Sequence, residues 1–311
     1  MIWITGNKGM LGTELSLCLK RRGLAFAGTD RELDIADPAA LAEFAAGFSD
    51  AGPLGGPLKW IINCAAYTAV DRAEDDTENC RRLNTQGAAY LARCAQNSGA
   101  GFIHFSTDYV FDGAGIHDGD TGTLRPYRAD DPTEPLNVYG LTKRDGETAV
   151  MKNNSRSYII RTAWLYGKYG NNFVHNMLRL MKEKDTLVIS ADQRGSPTWA
   201  LDLAEMTIAL IGAVNSGKKI PCGIYHYTNE GDTTWFNFAG AIYNNAREFG
   251  LLPGPVSINP CGSKDYPTKA ARPAYSVLDK GKIKAALGIQ IPQWDESLRA
   301  FLRMKADEQD P

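Results

Sequence analysis

No stretch of this 311-residue chain approaches the ~20 consecutive apolar residues of a membrane-spanning helix, so a spanning protein is not expected. An excess of one charge is missing too. The 34 Lys and Arg stand against 36 Asp and Glu, a formal net charge of −2. That balance supplies no basic field for nucleic acid or for an anionic membrane surface. The cysteines (Cys18, Cys64, Cys80, Cys94, Cys222 and Cys261) show no CxxC spacing, so neither a zinc knuckle nor a redox dithiol is expected. They read as ordinary thiols of a reducing compartment. No basic, apolar leader precedes the first strand, and the expected location is the cytoplasm. Internal repeats and low-complexity segments are also absent.

What is there is an alternation of strands and helices. Apolar runs at Met1–Thr5, Leu24–Gly28, Trp60–Cys64, Gly101–Ser106 and Ser157–Thr162 read as buried strands. Between them, helical spacing runs from Met10 to Lys20, from Asp37-Pro38 to Phe48, from Thr77 to Gly99 and onward from Tyr139. Such alternation predicts an α/β fold, a Rossmann-type doubly wound parallel sheet. Residues 1–163 are expected to form the dinucleotide domain. Residues 164–311 are expected to form mainly a smaller, discontinuous α/β lobe, part of which returns to the first domain. In that lobe Phe173–Lys184, Thr198–Val214, Trp235–Phe249 and Glu296–Met304 read as helices, and Leu187–Ser190 and Gly223–Thr228 as strands. Trp235, Phe238 and Ile242 are expected in the core, as are Leu298, Phe301 and Leu302, with Asp202 and Glu205 facing water.

A glycine-rich turn follows the first strand: Gly6-Asn-Lys-Gly9-Met-Leu-Gly12. Gly6 permits a tight turn, Gly9 lets backbone approach a phosphate, and Gly12 lets the following helix pack closely. Met10 and Leu11 belong to the same cradle. The spacing is GxxGxxG, and in a chain with 31 glycines its weight comes from its place between strand and helix. Asp30, just past the second strand, is placed to accept hydrogen bonds from an adenosine ribose and so to favour NADH. Arg31 beside it suits a 2′-phosphate, so NADH and NADPH both remain open. Asp34 and Ile35 are expected to bracket the adenine.

Tyr139-Gly-Leu-Thr-Lys143 carries the chemistry. Residues at i and i+4 share a helix face, so a phenol and an ammonium face the same bound group. The ammonium is expected to lower the phenol's pKa, and also to reach a nicotinamide ribose. Ser106-Thr107-Asp108-Tyr109, at the end of the preceding strand, offers a hydroxyl that can hold a substrate carbonyl and the tyrosine in one array.

These features resemble the extended short-chain dehydrogenase/reductase superfamily and, within it, the dTDP-4-dehydrorhamnose reductases. The resemblance spans nearly the whole chain. It rests on Asn63-Cys-Ala-Ala-Tyr-Thr-Ala-Val-Asp71, Ser106-Thr-Asp-Tyr-Val-Phe-Asp-Gly113, Pro135-Leu-Asn-Val-Tyr-Gly140 and Arg161-Thr-Ala-Trp-Leu-Tyr-Gly167. Gly170-Asn-Asn-Phe173, Asp192-Gln-Arg-Gly-Ser-Pro-Thr198 and Arg272-Pro273 complete it. It implies reduction of the C4 keto group of dTDP-6-deoxy-L-lyxo-4-hexulose with NADPH or NADH. By the resemblance Tyr139 is the proton donor, Lys143 its partner, and Thr107 the residue that tunes it, with Asp108 beside it. Ala65, Ala66 and Tyr67 line the cofactor side. Thr68, Val70, Trp164, Asn172 and Arg272 are implied on the sugar-nucleotide side, although Asn172 also reads as a helix cap and Arg272 as half of a surface ion pair.

Two departures stand out. Asp112–Asp131 is longer and more acidic than the family's compact loop, and reads as a solvated excursion or a lid. Mg2+ at a dimer interface is a known trait of some members. Glu14, Asp192, Asp295 and Glu296 lie in the corresponding regions, but spacing assigns none of them as a ligand. Monomer and homodimer are both compatible. Two alternatives stay open: another nucleotide-4-keto-6-deoxysugar reductase, and a non-catalytic regulatory subunit resembling the methionine adenosyltransferase beta subunit. A 4,6-dehydratase would need an Asp-Glu pair after the threonine, where this chain has Asp108-Tyr109.

Overall fold

The computed structural model describes residues 1–119, 122–265 and 267–308. The chain opens with β1 (Ile2–Thr5), α1 (Met10–Arg21), β2 (Phe26–Thr29), α2 (Pro38–Ala46) and β3 (Trp60–Asn63). Then come α3 (Val70–Ala73), α4 (Thr77–Arg81), α5 (Ala88–Asn97) and β4 (Gly101–Thr107). A short antiparallel pair, β5 (Ile116–His117) and β6 (Leu124–Arg125), precedes α6 (Val138–Asn153) and β7 (Ser157–Thr162). The second half holds β8 (Leu165–Tyr166), α7 (Phe173–Glu183), β9 (Thr186–Ser190), β10 (Arg194–Gly195), β11 (Thr198–Trp199) and α8 (Ala200–Asn215). It closes with β12 (Gly223–His226), β13 (Thr233–Thr234), α9 (Trp235–Glu248), β14 (Ser257–Cys261), α10 (Gly281–Leu287) and α11 (Trp294–Asp307).

Six strands form one parallel sheet in the order β12-β7-β4-β3-β1-β2. Alternate residues of each strand feed opposite faces. Ile2, Ile4, Trp60, Ile62, Ile103, Phe105 and Ile160 pack with α1 and α8. Trp3, Ile61, Phe102 and Ile159 pack with residues of α2 and α5 on the other side. Helices therefore cover both faces, as a doubly wound sheet requires. The strand order reverses at β1, and the crevice beyond the carboxyl ends of β1 and β3 is where such sheets bind ligands. A separate core of α7, α9, α11, β8, β9 and β11 residues, centred on Phe238, Ile242, Leu298 and Phe301, forms the second lobe.

Two expectations need correction. Thr77–Gly99 is not one regular helix: a π-helical turn, Arg82–Gly87, joins α4 to α5. It carries the buried Asn84 toward α6, where a Cβ on Gly146 would lie 2.2 Å from the Asn84 carbonyl oxygen. Asp202 does not face water. Its Oδ2 accepts from Asn229 Nδ2 and Ser297 Oγ, both at 2.6 Å, and burial pushes its pKa up. Glu205, by contrast, sits at the surface and pairs with Arg22, just past the end of α1. The acidic stretch is largely exposed, as a solvated excursion would be, but it is anchored. Arg125 grips Asp131 through two bonds of 2.7 and 2.8 Å, and the buried Tyr127 ring stacks on Phe111 at 4.1 Å. Asp120 and Thr121 lie outside the described residues.

Candidate active site

The glycine turn is as tight as its spacing implies. Gly6 has a left-handed φ of +67°, and a Cβ there would meet the Ala65 backbone nitrogen at 2.7 Å. A Cβ on Gly12 would lie 2.2 Å from the Gly6 carbonyl oxygen, so the turn admits glycine alone at both positions. Gly9 meets only the Gly6 oxygen, at 3.2 Å, and lies just before α1 as its N-cap, without a capping side chain. The first N–H groups of α1, at Met10 and Leu11, are thereby left for an anion. Asn7 Oδ1 in this turn and Ser106 Oγ on β4 are buried without a hydrogen-bond partner among the described residues. A backbone cradle, a helix N-terminus and unused buried polar atoms fit a dinucleotide.

Around that cradle, Asp30 is half-buried at the end of β2, its N–H held by Glu32 Oε1 at 2.8 Å. Asp34 is already engaged: it accepts from the Ala36 N–H at 2.9 Å and from Arg82 at 2.6 Å. Ile35 is buried in the core, where a Cβ on Gly87 would meet it at 2.8 Å. The structure thus packs the Ile35 side chain against Gly87. The Ala65–Tyr67 backbone is fixed by side chains. Asn63 Oδ1 accepts from the Ala65 N–H at 3.0 Å, and Asn84 bonds both the N–H and the carbonyl of Tyr67 at 2.8 and 3.1 Å. Asn84 escaped the sequence reading; a lone asparagine on the buried side of a helix was its only signal. Thr68 is exposed and Val70 opens α3, both on the rim.

Tyr139 stands one residue into α6, whose start is set by Asn137. That side chain accepts from the Gly140 N–H and donates to the Ala271 carbonyl, each at 2.8 Å. The Tyr139 phenol lies near Thr107, whose hydroxyl pulls its pKa down, and its ring meets Tyr109 edge-on at 5.7 Å. Thr107 also donates to Asp108 Oδ1 at 3.1 Å. Burial pushes the Asp108 carboxyl up to about 6, against the Ser276 and Thr107 hydroxyls, which pull it down. Lys143 is buried, its Nζ donating to the Phe105 carbonyl at 2.6 Å and lying 3.4 Å from His104 Nε2. Burial brings its pKa down to about 8. One expectation fails here. Burial raises the Tyr139 phenol, and the group that opposes this is Thr107, not Lys143.

The sugar-side residues divide. Trp164 holds a left-handed φ of 46°, rare for a bulky side chain, and stacks on Trp235 at 3.6 Å and 9°. Arg272 donates to Asp71 Oδ2 at 2.6 Å and to the Tyr109 hydroxyl at 2.9 Å, which fixes it beside the Tyr139 pair. Asn172 is a cap and not a free ligand: Oδ1 accepts from the His175 N–H at 3.1 Å, and Nδ2 donates to the Gly167 carbonyl at 2.9 Å. Among the described residues no three His, Cys, Asp or Glu side chains gather as a metal would require.

This geometry has close counterparts. The profile of the RmlD substrate binding domain family matches residues 1–306. A dTDP-4-dehydrorhamnose reductase of Streptomyces griseus is 42% identical over 297 residues, covering 95% of this chain and 90% of that protein. The chain belongs to the dTDP-4-dehydrorhamnose reductase family. The crystal structure of the Bacillus anthracis reductase in complex with NADP superposes with a TM-score of 0.85 at 34% identity, covering 96% of this chain and 97% of that one. The Clostridium acetobutylicum member gives a TM-score of 0.85 at 36% identity, covering 98% and 99%.

Proposed function

We propose that this chain reduces the C4 keto group of dTDP-6-deoxy-L-lyxo-4-hexulose, giving dTDP-L-rhamnose. The observation that carries the reading is the placing of Tyr139 beside Thr107 at the end of β4, on the same sheet edge as the glycine cradle. Gly6, Gly9, Met10, Leu11 and Gly12 hold the pyrophosphate, and Asp30 faces the ribose of NADPH or NADH. A bound nicotinamide supplies the hydride. Tyr139 protonates the sugar oxygen, Thr107 donates to the oxyanion as it forms, and Lys143 adds its charge at the nicotinamide side. Trp164 and Arg272 border the nucleotide-sugar. Residues 1–163 serve the cofactor and the lobe beyond them serves the sugar, with β12 contributed back to the first sheet. The free thiols suit a reducing cytoplasm. A monomer or homodimer is the working unit, which light scattering distinguishes.

The test follows NADH and NADPH oxidation by absorbance with enzymatically prepared dTDP-6-deoxy-L-lyxo-4-hexulose. Consumption yielding dTDP-L-rhamnose supports the proposal. Cofactor binding with no turnover, Mg2+ included, would overturn it in favour of another keto-sugar or a regulatory role.

A further inference from the structure

A row of polar side chains crosses the sheet beneath the site. Thr5, Asn63 and His104 stand in register on β1, β3 and β4, and all three are buried. Thr5 Oγ1 donates to Asn63 Oδ1 at 2.9 Å, and the Ala65 backbone N–H donates to the same oxygen at 3.0 Å. A backbone N–H can only donate, so Asn63 has one orientation available: its Nδ2 points at His104 Nδ1, 3.0 Å away. Nδ1 must then accept. Burial keeps the ring neutral, so its single proton sits on Nε2, facing Lys143 Nζ at 3.4 Å. An N–H can bond a neutral amine but not an ammonium.

We propose that Asn63 and His104 form a tautomer lock, in which the Nε2–H of His104 disfavours the ammonium of Lys143 and makes that lysine a readier proton donor. His104 is a positioning residue, acting on the site only through Lys143. The other groups facing Lys143 do not replace this effect. Glu147, one turn along α6, is gripped by Arg161 through bonds of 2.8 and 2.7 Å. The thiols of Cys64 and Cys80 are raised by burial and so uncharged, and Tyr139, one turn back, is raised likewise. Burial depresses Lys143 in the same direction.

Asn63→Asp inverts the lock at constant shape. One carboxylate oxygen still accepts from Thr5 and Ala65, while the other now accepts from the ring, moving its proton to Nδ1. The Nε2 lone pair then accepts from the Lys143 ammonium. The expected result is an upward move of roughly one pH unit in the Lys143 13Cε titration and in the alkaline limb of kcat/KM. Titration and limb both unmoved in a folded variant would overturn the proposal. Should the buried carboxylate prevent folding, imidazole 15N shifts of the wild-type chain decide, with His104 assigned through His104→Gln. A protonated Nε2 supports the lock, and a protonated Nδ1 refutes it. The inference rests on Lys143 serving the reductase site, but both spectroscopic readouts need no turnover and so fail independently of that reading.

Discussion

The Cβ that Gly140 lacks would stand 2.1 Å from the Tyr109 carbonyl oxygen. Helix α6 therefore rides directly on the turn after β4, which is what brings Tyr139 against Thr107. Gly140→Ala must push the helix away, at a cost of about 1–3 kcal/mol. The chain should still fold, with a lowered Tm and a kcat reduced at least ~10-fold, since a proton donor displaced by ~1 Å loses alignment. A melting curve beside steady-state kinetics checks both halves, and an unchanged kcat would dissociate the helix position from catalysis.

Tyr139→Phe removes the phenol while leaving the ring against Tyr109. Reduction should fall by roughly 10²–10⁴-fold, the usual worth of a positioned acid. NADPH binding, followed by fluorescence, should stay within about twofold, because no glycine of the cradle is touched. Wild-type turnover in this variant would remove Tyr139 from the role of donor.

Asp30 lies half-buried at the end of β2 beside Arg31. Asp30→Ala should raise affinity for NADPH relative to NADH by roughly 5-fold, the scale of about 1 kcal/mol for a partly exposed charge. Titrating both cofactors measures the ratio, and no change would take Asp30 out of the ribose site.

Asp108 binds its proton more tightly folded than unfolded, with a carboxyl at about 6 against an ordinary 3.8. That contribution to stability is complete below about pH 4 and is lost as pH rises through 6. Asp108→Asn, which cannot ionise, should therefore gain stability relative to wild type on going from pH 4 to pH 8. The differential is on the order of 2–3 kcal/mol. Denaturant midpoints at the two pH values test the sign; a larger relative gain at pH 4 would contradict it.

Much of the fold was legible because the buried strands of a parallel sheet are continuous apolar runs with punctuated ends. Ser157–Thr162 coincides with β7, and Phe173–Lys184 overshoots α7 by one residue. Gly6 and Gly12 were legible because backbone clashes leave one residue type. What was not legible has another cause. Asp202 and Ile35 take their environments from partners far along the chain: Ser297 for the first, Gly87 for the second. Periodicity is blind to such partners. The π-helical turn at Arg82–Gly87 was hidden similarly, since one extra residue in a helix leaves its amphipathic pattern nearly intact.

The edge strand β12, Gly223–His226, pairs along its whole length with β7. A chain emerging from the ribosome therefore exposes the outer edge of β7 until some sixty further residues have been made, from Thr162 to Gly223. Unpaired strand edges recruit other chains. Expression of residues 1–163 alone should thus give aggregates, and a soluble cofactor-binding fragment should need the chain through α8 and β12.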